Sequence, residues 1–148
     1  MENNRDKSRL LLVTRQGQSR YAFSAENVVE VITSPAITPL PGQPDYLRGL
    51  ISYKGRVVPV LSLRALRGLD ADADEPICVM IRMDDLLLAL TVDSAESLME
   101  DNGRRVEYDE SLLNGKFIKL DCAIPGDPVI LVLNLKKVYQ AVESHFNS

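Results

Sequence analysis

The stretch Ile37-Thr38-Pro39-Leu40-Pro41-Gly42-Gln43-Pro44-Asp45-Tyr46-Leu47-Arg48-Gly49-Leu50-Ile51-Ser52-Tyr53-Lys54-Gly55-Arg56-Val57-Val58-Pro59-Val60-Leu61-Ser62-Leu63-Arg64 decides how this 148-residue chain folds. Its opening, with Pro39, Pro41 and Pro44 around Gly42, is a stiff lead-in, because each proline ring fixes φ and removes a backbone donor. Two runs rich in β-branched and aliphatic residues follow, Tyr46–Tyr53 and Val57–Leu61, flanking Lys54-Gly55. A short connection carrying glycine between two such runs spells a tight hairpin. Pro59 falls inside the second run, so that strand lies at an edge or carries a bulge there. An irregular strand edge of this kind is a surface on which another chain can dock.

Outward from the hairpin, the apolar runs stay short, rich in Val, Ile and Leu, and punctuated by Gly or Pro, as strands require. Further strands are expected at Leu10–Arg15, Arg20–Phe23, Val28–Thr33, Ile77–Met83, Leu86–Val92, Ala95–Glu100, Gly115–Cys122 and Val129–Leu133. Ser62 to Arg67 gives one helical turn that Gly68 stops. Asn134 to Phe146 reads as a closing helix, with Asn134 as its N-cap and Leu135, Val138, Tyr139, Val142 and Phe146 on one face. That stripe predicts docking onto a β lobe. The acidic, turn-rich stretch from Gly68 to Pro76 is the expected lobe boundary.

The chain also resembles itself. Val60-Leu61-Ser62-Leu63 returns as Val132-Leu133-Asn134-Leu135, and Leu47-Arg48-Gly49 as Leu113-Asn114-Gly115. Tyr21-Ala22-Phe23 followed by Val29-Glu30-Val31 parallels Leu88-Ala89-Leu90 followed by Ala95-Glu96-Ser97. A half-chain of about 70 residues has little core of its own, and packing two together remedies that. The reading is a single domain over 8–148, with subdomains at roughly 15–70 and 76–135, the first strand and last helix packing across both, and residues 1–7 as a disordered N-terminus.

Composition narrows the function. Hydrophobic residues at 45% and charged residues at 26% are those of a globular domain. The net charge is −4 and the 17 Lys and Arg are scattered, which leaves no footprint for nucleic acid and disfavours an anionic membrane surface. The Met1-to-Lys7 segment has no apolar signal region, and no apolar run approaches the roughly 18 residues of a spanning helix, so a cytoplasmic chain without membrane insertion is expected.

A search for chemistry returns little. His145 stands alone near the end of the last helix, and Cys78 and Cys122 each sit inside an apolar run without a second cysteine at knuckle spacing. Both cysteines read as reduced core thiols, with no metal, cofactor or catalytic site. Asp84-Asp85 lies where two strands reverse and reads as a turn. Asp70, Asp72 and Asp74 alternate as at the start of a calcium loop but lack its glycine and closing glutamate. Gly42 and Gly49 are isolated, so no phosphate-cradling loop appears.

The opening stretch, together with Val29-Glu30-Val31-Ile32 before it, is similar to the signature of CheW-like domains. That signature runs from a Val-x-Glu-Val-Ile strand through a Pro-rich loop to Arg-Gly-Leu-Ile, then Arg-Gly, then Val-x-Pro-Val-x-Asp-Leu-Arg. Leu40-Pro41-Gly42, Tyr46-Leu47-Arg48-Gly49-Leu50-Ile51 and Val57-Val58-Pro59-Val60-Leu61-Ser62-Leu63-Arg64 match it in order and spacing. The resemblance extends from about Leu10 to Val142 and weakens over Asp101 to Pro128. It implies a mainly β fold of two side-by-side five-stranded SH3-like β-barrels with a C-terminal helix. It also implies a non-enzymatic adaptor that couples chemoreceptors to the histidine kinase CheA in bacterial chemotaxis, cytoplasmic and recruited to membrane receptor arrays. The implied partners are the kinase regulatory domain and the helical hairpin tip of a receptor, the latter facing Val28, Glu30, Lys54 and Ile77.

Val28 and Glu30, two apart on a strand, are expected to share a face. The chain departs from the signature at Ser52-Tyr53-Lys54-Gly55, where Asn-Leu-Arg-Gly is usual, and at Ser62, where Asp is usual. A Glu30–Lys54 pair would be less rigid than Glu–Arg, because ammonium is a point charge without the two-pronged guanidinium geometry. Two other readings follow: a CheW-like scaffold in a non-flagellar array such as that of a type IV pilus, and a small enzyme or ligand-binding barrel. Binding to kinase and receptor fragments separates the first, and a side-chain-filled interior removes the second.

Overall fold

The computed structural model describes residues 10–68, 75–101, 103, 120–126 and 129–147. Strands form at Leu10–Gln16 (β1), Ser19–Ser24 (β2), Val28–Thr33 (β3), Leu47–Tyr53 (β4) and Arg56–Ser62 (β5), then at Ile77–Met83 (β6), Leu86–Val92 (β7), Ser94–Glu100 (β8), Leu120–Ile124 (β9) and Ile130–Leu133 (β10). A one-turn helix, Leu63–Leu66 (α1), follows β5, and a longer one, Leu135–Asn147 (α2), follows β10. The expected disordered N-terminus, most of the strand expected at Gly115–Cys122 and the side chain of Phe146 lie outside the described residues.

The strands make two five-stranded sheets, ordered β3-β6-β7-β5-β4 and β8-β1-β2-β10-β9. These sheets do not follow the expected division into 15–70 and 76–135. Each takes a two-stranded hairpin from one half of the chain and three strands from the other. The two orders correspond strand for strand: β3 with β8, β6 with β1, β7 with β2, β5 with β10, β4 with β9. Registers correspond too. Val60 pairs with Ala89 as Val132 pairs with Ala22, both in parallel. The antiparallel β3–β6 pairing breaks between Val28 and Glu30, and the β8–β1 pairing breaks at the equivalent place. The internal repeat is therefore real in three dimensions, and its two copies exchange their leading hairpins.

Both crossovers between sheets are tied down alike. Asn27, between β2 and β3, donates its side-chain amide to the Arg82 carbonyl at 3.0 Å. Asp93, between β7 and β8, donates its backbone N–H to the Arg15 carbonyl at 2.9 Å and accepts from Gly17 N–H at 2.6 Å. Arg15 and Arg82 hold equivalent places at the ends of β1 and β6.

Three apolar clusters hold the molecule. Ile51, Tyr53, Val58, Val60, Cys78, Met80, Leu87 and Ala89 fill the inside of one sheet, and Leu11, Val13, Ala22, Ile124 and Val132 the inside of the other. The largest cluster joins the sheets, with Tyr21, Phe23 and Leu131 meeting Leu61, Val79, Ile81, Leu88 and Leu90. Alternation along β6 shows how: Cys78 and Met80 turn inward, Val79 and Ile81 toward the shared core. From Cys78 to Ile81 both faces of this strand are buried, so Ile77–Ile81 reads as one unbroken apolar run. Val138 and Val142 of α2 add to the shared core, each worth about 1.5–3 kcal/mol when fully buried. Asn134 caps α2 by accepting from Lys137 N–H at 3.0 Å. Cys78 is buried and Cys122 half-buried, no disulfide joins them, and burial pushes the Cys78 thiol up to about 11.

Candidate functional site

The β4–β5 hairpin closes through Lys54 and Gly55, both at positive φ (48° and 79°), between the paired Tyr53 and Arg56. Positive φ at both central residues makes the turn whose twist suits a two-residue hairpin. Pairing of β5 with β7 begins only at Val60. At Pro59 the strand thus has β4 alone beside it, and the missing N–H interrupts no ladder on the other side. On β4, Gly49 (φ 139°) admits the Pro-rich loop: Thr38 N–H donates to the Leu50 carbonyl at 2.8 Å and Leu50 N–H to the Thr38 carbonyl at 2.9 Å. The loop is in effect a short extra strand on this edge.

Glu30 lies exposed on the edge strand β3, and its Oε1 accepts from the Tyr53 hydroxyl at 2.7 Å. Tyr53 is 9% exposed, packed in the cluster inside its sheet. Its phenol is held above the ordinary value of 10.0, chiefly by that bond, then by burial and the charge of Glu30, with Arg82 pulling the other way. Lys54 does not pair with Glu30. Its ammonium sits 5.4 Å over the centre of the Tyr53 ring, within cation–π range. The hairpin turn with positive φ sends it there, and the hydroxyl of its chain neighbour takes the carboxylate.

Val28 and Glu30 do not share a face. Val28 stands opposite Ile81 and Glu30 opposite Met80, which are consecutive and so point to opposite sides of the sheet. The extra residue, Val29, makes a β-bulge that cancels the alternation. Val28 and Ile77 are half-buried against the shared core, about 13 Å apart along β6 as judged from the Ile77–Ile81 separation. The four expected residues thus form two groups: Glu30 and Lys54 gathered by Tyr53, Val28 and Ile77 on the other face. Tyr53 was the residue sequence reasoning passed over. Its signal was present in the departure at Ser52-Tyr53-Lys54-Gly55, where a hydroxyl replaces the usual leucine.

Ser62, the second departure, is fully buried and caps α1 by accepting from Ala65 N–H at 3.1 Å. Its hydroxyl donates to Glu75, which also accepts from Arg64 N–H at 3.1 Å and Thr91 hydroxyl at 3.2 Å. Glu75 therefore supplies at the start of α1 the carboxylate that position 62 lacks. Burial pushes its carboxyl above the usual range, against the pull of these three donors, and Asp93 adds to the push.

Asp84-Asp85 closes the β6–β7 hairpin between the paired Met83 and Leu86, with Asp84 at positive φ (55°). Among the described residues no three His, Cys, Asp or Glu side chains gather as metal ligands, and no described helix is long and apolar enough to cross a membrane. Val29 and Val31 on β3, Val57 on β5 and Leu98 on β8 are exposed apolar side chains. Val57, the most exposed at 70%, lies on the half of β5 that β7 does not cover.

This arrangement of strands and surface has counterparts among known proteins. The crystal structure of the scaffolding protein TtCheW from Thermoanaerobacter tengcongensis superposes with a TM-score of 0.75 over 86% of this chain and 89% of that one, at 17% identity, a likeness of fold. Protein FrzA of Myxococcus xanthus is 41% identical over 49 residues, 33% of this chain and 31% of FrzA. The chemotaxis protein CheW of Thermotoga maritima is 30% identical over 73 residues, 49% of this chain and 48% of that protein. The aligned stretches thus span a third to a half of these curated relatives. Residues 10–143 match the CheW-like domain, so nearly all of the described fold is accounted for. The chain therefore belongs to the CheW-like domain family.

Proposed function

We propose that this protein couples chemoreceptors to a CheA-type histidine kinase, from the cytoplasmic side of a membrane receptor array and by binding alone. The match to the CheW-like domain across residues 10–143 carries the reading. The packed interior of the β3-β6-β7-β5-β4 sheet agrees with it, since a ligand-binding barrel would need an open chamber where Val58, Val60, Cys78, Met80 and Ala89 stand at 0% exposure. The receptor hairpin meets the rim formed by Glu30, Tyr53 and Lys54, with Val28 and Ile77 behind it supporting the β3–β6 edge.

Calorimetric titration of the protein with a kinase regulatory domain and with a receptor hairpin fragment from the same genome tests this. Micromolar binding to both is expected, with Glu30→Lys weakening the receptor arm and sparing the kinase arm. Absence of binding to every kinase regulatory domain of that genome overturns the reading in favour of a CheW-like scaffold in another array, such as that of a type IV pilus.

A further inference from the structure

Glu30 is exposed and carries one oxygen that no described group engages. Its other oxygen is held by a neutral donor on a rigid support, because the Tyr53 ring is packed among Ile51, Val58 and Met80. A neutral hydroxyl fixes a carboxylate without cancelling its charge, whereas a paired lysine or arginine would consume it. Lys54, the cation next to Tyr53 in the chain, is diverted onto the ring face. Arg82 acts on Tyr53 electrostatically, but no ion pair joins it to Glu30 among the described residues.

From this geometry we propose that Tyr53 is a positioning residue that presents the Glu30 carboxylate, outside any ion pair among the described residues and in one rotamer, to a cationic side chain of the docking partner. Tyr53 also keeps Lys54 from neutralising that carboxylate. The inference rests on the reading of Glu30 as partner-facing. An exposed glutamate without such a hold surrenders side-chain freedom on binding, which costs about two- to tenfold in affinity.

A double-mutant cycle tests the proposal, using the full chain and the receptor hairpin fragment, with folding checked by thermal melting. Tyr53→Phe keeps the ring in its cluster and removes only the hydroxyl. In the parent it is expected to weaken binding about two- to tenfold, and in a Glu30→Gln background by less than about twofold. Raising salt should weaken the parent more steeply than Glu30→Gln, as loss of a cation–carboxylate contact requires. An equal loss from Tyr53→Phe in both backgrounds would reduce Tyr53 to a structural residue and overturn the proposal. So would a loss from Glu30→Gln with none from Tyr53→Phe, or equal salt dependence in parent and Glu30→Gln. If the parent does not bind the fragment, or Glu30→Gln binds as the parent does, the partner-facing reading itself has failed.

Discussion

A Cβ on Gly49 would lie 2.2 Å from the Thr38 carbonyl oxygen and 2.9 Å from the Cα of Pro39, at a φ of 139° that side chains rarely adopt. The obstacle is backbone held by two hydrogen bonds, so it cannot swing aside. Gly49→Ala is expected to destabilise the fold by about 2–4 kcal/mol and to release the Pro-rich loop, read as a lowered urea midpoint and faster amide exchange at Thr38 and Leu50. Glu75 offers a second residue-level test. Its pKa is raised on folding, so the native state holds the proton more tightly than the unfolded chain. Stability from this group is fully present below about pH 4.5 and is lost as pH rises through the raised value. Denaturation midpoints of the parent should therefore fall relative to Glu75→Gln between pH 4 and pH 7, and a constant difference between the two would contradict this. Ser62→Asp restores the residue usual in the family but sets a second buried carboxylate against Glu75. It should cost about 1–3 kcal/mol alone and much less when combined with Glu75→Gln.

Among elements, β3 shows most clearly where a sequence stops being readable. Its existence and limits, Val28–Thr33, follow from its β-branched run, and those of β6 and β7 from two short apolar runs on either side of the Asp84-Asp85 turn. The bulge at Val29 does not. Val28, Val29 and Val31 are the same residue type, so no alternation in the sequence marks which of them is extra. Sharing of a face by Val28 and Glu30 was a fair inference from period two and failed for that reason. Because Val28 opposes Ile81 and Glu30 opposes Met80, removing Val29 regularises the strand without moving either side chain to a new face. Deletion of Val29 should change stability by no more than about 1 kcal/mol and leave Tyr53 titrating above 10.0 in an NMR titration of the labelled ring. Deletion of Val31 forces either Glu30 or Ile32 to the wrong side, and should cost about 2 kcal/mol or more.

For the whole molecule, local signals and long-range ones divided differently. Strands, turns and the α2 cap were legible because each rests on neighbouring residues: Gly55 and Asp84 at turns, Asn134 at a helix start. The repeat was legible too, as Val60-Leu61-Ser62-Leu63 against Val132-Leu133-Asn134-Leu135. What the repeat concealed was that its copies trade hairpins, since Ala22 and Ala89 carry no mark of which half they will pair with. The rim around Glu30 was half legible: Glu30 and Lys54 lay within the matched signature, but the bond that organises them depends on a cross-strand approach between β3 and β4. With hairpins exchanged, neither half can complete a sheet. Fragments 1–68 and 75–148 are each expected to lack sheet circular dichroism alone and to regain it on mixing. A folded isolated fragment would refute that.

The exchange also fixes a timetable for the newly made chain. Ala22 finds its parallel partner in Val132, so the β1–β2 hairpin leaves the ribosome with a sheet edge it cannot fill until β10 has been added. Completion of this sheet in that sense waits on the synthesis of β10. During translation the exposed β1–β2 edge is where holding chaperones would be needed most.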